Sequence, residues 1–292
     1  MGLTELLHGQ APWGVVVLFA VITQVGDVWF HFLIGSVLYV AGEYVPRVGI
    51  KRRRGLFVFA LGVTYTGLIV VLKDVFMLPR PPGAGDPPAL RWIPSVFAGL
   101  FTSITTADGT GFPSGHALGT TMVWGGLALV LDSGTYRTRA GVAGVVVVLV
   151  SISRLVLGVH YAVDVIVGVG LGVLVLGVLY WLADAGTDPE RVLLVAVVIG
   201  GVAVLVHPSF DSLAAFGSAV GGWLVWRSVA DSTPAYPSTN REVIAGFAVV
   251  GIVGSLYGVV YALDLPLLVT VVGAAITAGT VVGAPRIGER LI

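Results

Sequence analysis

The sequence predicts an all-α membrane protein, and three observations support this fold class. Of the 292 residues, 56% are hydrophobic and only 11% are charged, whereas a soluble domain carries about 25% charged residues. The mean hydropathy is +0.97, and long apolar runs recur along the chain. Glycine is abundant, with 41 residues, and small residues allow close packing of helices in lipid. We therefore predict a polytopic helical bundle embedded in the bilayer.

The apolar runs predict about nine transmembrane helices, because a span needs about 20 residues. They cover residues 27–45, 55–72, 117–131, 141–158, 161–182, 192–206, 211–228, 243–262 and 267–284. An earlier run, residues 12–24, is short for a span. We interpret it as an interfacial or re-entrant helix that breaks at Gly26 and Asp27.

The basic residues predict the orientation of the bundle. The only basic cluster is Lys51–Arg54, and Lys and Arg are enriched in cytoplasmic loops. If this cluster is cytoplasmic and successive spans alternate in direction, the N-terminus lies outside and the C-terminus inside. Residues 73–116 then form a long outside loop. Twelve of the sixteen basic residues then lie on the cytoplasmic side. The four exceptions are Lys73, Arg80, Arg91 and Arg154.

Composition also argues against several classes of function. Acidic and basic residues balance at 16 each and form no basic patch of the kind that binds nucleic acid. The absence of cysteine excludes disulfides and thiolate metal sites. Residues 1–10 lack a basic segment and include Glu5, so we expect no cleavable signal peptide. We expect neither a metal nor a cofactor, and the expected partners are the lipid bilayer and a phosphorylated substrate.

The first of three polar islands runs from Lys73 to Pro81. Lys73 and Arg80 are seven residues apart, so they would share one face of a helix. Pro79 and Pro81 predict that the helix ends near Met77. Arg80 would then lie in a rigid loop just beyond the helix.

The second island is Pro113-Ser114-Gly115-His116, just before the apolar run 117–131. Ser114 is a suitable N-cap, and the free N–H groups of a helix start can bind an anion. Gly115 permits close approach of the backbone. His116 is suited to proton transfer, because the ordinary imidazole pKa is about 6.5.

The third island, residues 153–164, places Arg154, His160 and Asp164 inside an almost unbroken apolar run. Ionisable groups at membrane depth are costly unless they have partners or face a polar cavity. Gly158 predicts a helix break, and the four-residue spacing puts His160 and Asp164 on one face. A carboxylate that accepts a proton from one imidazole nitrogen leaves the other nitrogen as a nucleophile. Taken alone, Arg154 and Asp164 would be a structural ion pair; the other two islands favour a phosphate site.

Together the islands resemble the signature of the type 2 phosphatidic acid phosphatase superfamily. This superfamily includes lipid phosphate phosphatases, glucose-6-phosphatase and the vanadium haloperoxidases. Its three patterns are Lys-x6-Arg-Pro, Pro-Ser-Gly-His and Ser-Arg-x5-His-x3-Asp. Every fixed position is filled here, in the same order: Lys73, Arg80 and Pro81; Pro113 to His116; Ser153, Arg154, His160 and Asp164.

The resemblance implies a metal-independent phosphatase. His160 would attack phosphorus to form a phosphohistidine, with Asp164 holding the imidazole. His116 would protonate the leaving group and then activate water. The phosphoryl oxygens would be bound by Lys73, Arg80, Ser114, Gly115 and Arg154.

Several readings remain open at this level. The resemblance covers about residues 20–182, so we assign residues 1–186 to a phosphatase core and 187–292 to a C-terminal transmembrane extension. The substrate would be a lipid or isoprenoid phosphate or diphosphate, at the extracytoplasmic face of the cell membrane. A sugar phosphate is the alternative suggested by a nine-span layout like that of glucose-6-phosphatase. A non-catalytic lipid-phosphate binder or transporter is the third. His31 and His207 have no evident partner and are interpreted as structural.

Overall fold

The computed structural model describes residues 12–44, 49–88, 94–237, 239–263 and 266–291. Within these ranges the regular structure is helical throughout, which confirms the predicted fold class. The helices are α1 (Trp13–Thr23), α2 (Val28–Ala41), α3 (Arg52–Phe76), α4 (Ser95–Thr105), α5 (Gly115–Val130), α6 (Tyr136–Val156), α7 (Ala162–Leu182), α8 (Pro189–Val206), α9 (Phe210–Val229), α10 (Asn240–Ala262) and α11 (Leu267–Arg290).

Six of these helices, α3, α6, α7, α8, α10 and α11, are long and apolar enough to cross a membrane. Helices α1 and α2 qualify only as a pair, bent by 47° at the predicted break before Asp27. Helix α5 has 16 residues, about 24 Å at 1.5 Å per residue, and neither it nor α9 meets the same test. The multi-pass architecture is therefore supported, but the predicted number of nine spans is not confirmed.

Helix α3 is the centre of the bundle. Residues 55–65 of this helix are all buried, and those from Leu56 to Leu61 are at most 2% exposed. A helix that is apolar all round needs neighbours on every face, and α2, α5, α8 and α9 all pack against α3. Helix α5 packs in turn against α6 and α7. This arrangement fixes the far end of α3 beside the starts of α5 and α7.

The C-terminal helices share this core. Helices α9 and α11 pack so closely that a Cβ atom on Gly221 would lie 2.0 Å from the carbonyl oxygen of Ala275. On α10, Glu242 forms a buried ion pair of 2.5 Å with Arg52 of α3. The prediction that placed Arg52 in a loop was wrong, because it is in the first turn of α3 and only 1% exposed.

The predicted loop over residues 73–116 contains a helix that the sequence reading missed. Helix α4 has 11 residues, about 16 Å, so it is too short to cross the bilayer. Phe101 anchors it on a small apolar cluster with Leu157 and Val159, next to the third island. Its outer surface, the exposed apolar face of α4, consists of Val96, Phe97 and Leu100, which are 78%, 56% and 61% exposed. Arg91, one of the four basic exceptions, lies outside the described residues.

Candidate active site

The first island closes the C-terminal end of α3. The helix ends at Phe76, and Met77 follows in the left-handed region with φ 47°, as the prolines predicted. Arg80 lies in the loop beyond. Its Nε donates to the carbonyl oxygen of Asp108 at 2.9 Å, and its Nη1 donates to that of Val159 at 2.8 Å. These two carbonyls aim the guanidinium at the third island.

The second island forms the N-terminus of α5. Ser114 is fully buried, and its Oγ accepts a long 3.4 Å hydrogen bond from the backbone N–H of Ala117. This contact confirms the predicted N-cap. The backbone N–H of Ser114 donates to the backbone oxygen of Asp164 at 2.9 Å. The second island is thereby joined directly to the third.

The third island turns the chain between α6 and α7. Helix α6 ends at Val156, and Gly158 adopts φ 72°, a backbone conformation that glycine accepts at little cost. The turn places His160 just before α7, where it is only 2% exposed. Asp164 lies in the first turn of α7, and its Oδ2 accepts from the backbone N–H of Tyr161 at 2.8 Å.

Hydrogen bonding fixes the tautomer of His160. Its Nε2 lies 3.2 Å from Nη1 of Arg80, and a guanidinium can only donate. The Nε2 atom must therefore offer its lone pair, which leaves the ring proton on Nδ1. That nitrogen lies 3.3 Å from Oδ2 of Asp164 and donates to it. The imidazole is thus held with its nucleophilic nitrogen towards the cations.

The three islands converge electrostatically around His160. Burial, followed by the positive charges of Arg154, Arg80 and Lys73, holds the pKa of this imidazole well below its usual value. The ring therefore stays unprotonated at neutral pH. His116 is also within electrostatic range of His160. The structure thus brings both imidazoles and all three cations to one end of the bundle.

The α1–α2 break supplies two site contacts that the sequence analysis missed. Thr23, at the end of α1, accepts a 2.8 Å hydrogen bond at Oγ1 from Nη1 of the buried Arg154. Asp27 places Oδ2 3.5 Å from Nε2 of His116. The sequence predicted this break, but no local sequence pattern predicts contacts with His116 and Arg154, which lie about 90 and 130 positions later.

The C-terminal helices also reach the edge of the site. His207, at the end of α8, places Nδ1 3.5 Å from Oδ2 of Asp74, which neighbours Lys73. The sequence offered no evident partner for His207, and the structure places Asp74 beside it. His31 is buried, and its ring packs edge-on against Tyr65 with 5.6 Å between centroids.

The motif geometry agrees with the comparison against known families. Residues 55–188 match the family model described as the PAP2 superfamily. This segment belongs to the PAP2 superfamily. It contains every motif position from Lys73 to Asp164, and the match bears out the resemblance drawn from the sequence. Members of this superfamily are generally phosphatases. Comparisons with curated proteins and with solved structures give no match.

Proposed function

We propose that this protein is a membrane-embedded, metal-independent phosphatase that hydrolyses a lipid phosphate monoester or diphosphate through a phosphohistidine. The observation that carries the proposal is the orientation of His160, whose Nε2 lone pair faces Arg80 while Nδ1 donates to Asp164. A structural histidine needs no such alignment of a cation on one nitrogen and a carboxylate on the other. Nucleophilic catalysis does need it.

The first half-reaction follows from this geometry. A bound phosphoryl oxygen takes the Arg80 donor that faces Nε2 in the free enzyme, which releases the lone pair. Nε2 then attacks phosphorus, and the bond from phosphorus to the leaving oxygen breaks as His116 donates a proton to that oxygen. The products are an alcohol, or a lipid monophosphate when the substrate is a diphosphate, and a phosphorus–nitrogen bond at His160.

The second half-reaction reverses the proton transfer. His116, now neutral, takes a proton from a water molecule as its oxygen attacks phosphorus. The phosphorus–nitrogen bond breaks, inorganic phosphate leaves, and His160 recovers its lone pair. Lys73, Arg80 and Arg154 stabilise the charge on the equatorial oxygens, which is the main requirement of phosphoryl transfer.

The exposed apolar face of α4 supports a lipid substrate. An apolar helix too short to span fits the membrane–water interface, and Phe101 ties this one to the residues next to His160. A phosphorylated lipid in the same leaflet would therefore arrive with its headgroup beside the site. The sugar-phosphate alternative rested on a nine-span layout, which the structure does not confirm. No feature of the described residues favours a non-catalytic binder or transporter.

The charge distribution of α3 supports an extracytoplasmic site. Arg52 to Arg54 begin the helix and Lys73 lies in its last turn, about 30 Å further along at 1.5 Å per residue. Because the basic cluster favours the cytoplasm, the site would open on the opposite face of the cell membrane.

The test is phosphate release from phosphatidate or an isoprenyl diphosphate by purified protein in detergent with EDTA. We expect activity in the unmodified protein, its loss in His160→Ala, and inhibition by vanadate, which mimics the pentavalent transition state. Asp231→Asn, at an exposed position of the α9–α10 connection, is a control that should retain activity. Activity that survives His160→Ala would remove the phosphohistidine from the mechanism.

The intermediate itself can be trapped. In His116→Ala, 4-nitrophenyl phosphate still phosphorylates His160, because its leaving group needs little protonation, whereas water is no longer activated. We expect an acid-labile, base-stable phosphoenzyme to accumulate with labelled substrate. An active enzyme that gives no such species would contradict the proposal.

A further inference from the structure

The α1–α2 break is built into the site rather than being a simple kink. Helix α1 ends at Thr23, a 3-10 turn covers Gln24–Gly26, and Asp27 is extended with φ −83° and ψ 157° before α2 begins. A Cβ atom on Gly26 would lie 2.5 Å from Oγ1 of Thr120, so the turn lies directly against α5. The side chain of Trp124 donates from Nε1 to the backbone oxygen of Val25 at 3.2 Å.

These contacts hold Asp27 beside His116. Thr120 is one helical turn beyond His116 on α5, so a chain pinned there can reach the imidazole with the next carboxylate. The measured distance from Asp27 Oδ2 to His116 Nε2 is 3.5 Å. Asp27 lies outside the family-matched segment, which begins at residue 55, whereas His116 lies inside it.

The charges around His116 explain why a carboxylate is needed there. Burial of the ring and the cations Arg154 and Lys73 lower the pKa of His116 to about 4, although Asp27 raises it, and the helix N-terminus also disfavours an imidazolium. A leaving-group acid must nevertheless carry a proton when the substrate binds. The titratable groups that face His116 from the surrounding elements are Asp27, Lys73, Arg154, His31 and His160. Of these five, Asp27 alone is negatively charged.

We propose that Asp27 is a positioning residue that orients His116 and strengthens its hold on a proton, so that His116 can serve as the leaving-group acid. The α1–α2 break thereby completes the proton-transfer half of the site. The site would contain two histidine–carboxylate pairs with opposite tasks. The Asp164 pair presents the lone pair of His160, and the Asp27 pair presents a proton on His116. This inference rests on the proposed phosphatase function.

A purely structural role for Asp27 is testable, because Asp27 also occupies the N-cap of α2. Asparagine caps a helix as well as aspartate does but carries no charge. Asp27→Asn therefore leaves a capping role intact and removes only the charge. If Asp27 is a cap, the variant behaves as the unmodified protein. If it positions His116, proton donation fails.

The experiment compares two substrates, a dialkylglycerol phosphate with a poor leaving group and 4-nitrophenyl phosphate with a good one. The parameter is kcat/KM, which covers the steps up to phosphoenzyme formation. For Asp27→Asn we expect a loss of about 100-fold or more on the alkyl ester, since general acid catalysis contributes about 10²–10⁴. On the nitrophenyl ester we expect a change of less than about threefold, because that leaving group needs little protonation. Asp27→Glu should recover part of the loss, and Asp231→Asn should change neither value.

Two further readouts separate positioning from folding. In a His116→Ala background, Asp27→Asn should cause no additional loss on the alkyl ester, because coupled residues are not additive. The alkaline limb of the pH profile should also move to lower pH in Asp27→Asn, since an imidazole without its carboxylate loses its proton sooner.

The outcomes are distinct. Four outcomes would overturn the role of Asp27 while the phosphatase function stands. They are an equal loss on both esters, an additive loss in the His116→Ala background, unchanged kinetics in Asp27→Asn, and a misfolded Asp27→Asn. An unmodified protein that hydrolyses neither ester would overturn the function, and this inference with it.

Discussion

Gly168→Ala should damage catalysis by moving two halves of the site apart. Gly168 lies on α7, one turn after Asp164, and faces the start of α5. A Cβ atom there would lie 2.8 Å from the backbone oxygen of Ser114, and an ordinary contact begins at about 3.4 Å, so the start of α5 must shift by about 0.6 Å. That backbone also carries the Ser114 N–H bond to Asp164, so the shift separates His116 from His160.

The size of the effect follows from that displacement. A misplacement of about 1 Å can cost about 100-fold in rate, so about 0.6 Å should lower kcat/KM by about tenfold. The matched control is Gly170→Ala on the same helix, where an added Cβ meets nothing within 4 Å. Both changes gain the same helix propensity, about 1 kcal/mol at most, so any difference between them reports the contact with Ser114.

The assay is phosphate release from phosphatidate in detergent, with the thermal unfolding midpoint measured on the same samples. We expect the control to keep full activity and an equal or higher midpoint. A Gly168→Ala variant with the kcat/KM of the unmodified protein would refute the reasoning, because it would mean that the close approach of α5 and α7 does not set the distance between the imidazoles.

Three further predictions concern stability, pH and substrate. Glu242→Gln leaves the charge of Arg52 buried and unpaired, which should lower the free energy of unfolding by about 3–5 kcal/mol. Asp132→Asn breaks the ion pair with Arg54, whose side chains are 53% and 29% exposed, and should lower it by less than about 1 kcal/mol. Unfolding free energies in detergent measure both, and equal values would contradict the buried pairing. Because the lowered pKa of His160 keeps the imidazole neutral as pH falls, the acid limb of kcat/KM should lie below the ordinary value of about 6.5. Arg80→Gln removes one of the cations that lower the His160 pKa and should move the acid limb to higher pH. Ionisation of the substrate is the same for both proteins, so an unmoved limb would contradict the assignment of the limb to His160. Serine at all three positions of the exposed apolar face of α4 should lower hydrolysis of phosphatidate in vesicles several-fold but leave 4-nitrophenyl phosphate hydrolysis unchanged, and an equal loss on both would indicate damage to the site itself.

Local patterns predicted the parts of the site that local geometry controls. The proline pair predicted the end of α3 near Met77, Ser114 was recognised as an N-cap, and Gly158 marked the turn before His160. Each of these features depends on the conformational preference of one or two residues. The predicted number of nine spans is not confirmed, because α5, with 16 residues, and α9 do not meet the test for a span, whereas α1 and α2 together count as at most one bent span.

The contacts that sequence reading missed are all long-range. Thr23 meets Arg154 across 131 positions, and Glu242 meets Arg52 across 190. Each of these residues is unremarkable beside its neighbours in sequence, and only the packing of the bundle brings the partners together. A polar residue at a helix break was the one available signal for Asp27, but a break has a capping explanation of its own.

Carboxylates, most of which the sequence reading missed, explain how the three cations can be held close together. Unpaired buried charge is costly, so a cationic cluster requires compensation. Each of the three cations has at least one nearby carboxylate that compensates its charge. Asp211 and Asp74 act on Lys73, Asp164 and Asp108 act on Arg80, and Asp27 acts on Arg154.

Only one of these carboxylates, Asp164, is a motif position. Asp27 comes from the α1–α2 break, and Asp211 comes from the first turn of α9 in the C-terminal segment. Both ends of the chain therefore contribute to the electrostatic balance of the site, although the family match covers neither. A phosphate dianion that binds here competes with these carboxylates for the cations. Affinity for phosphate should consequently depend on residues well outside the three motifs.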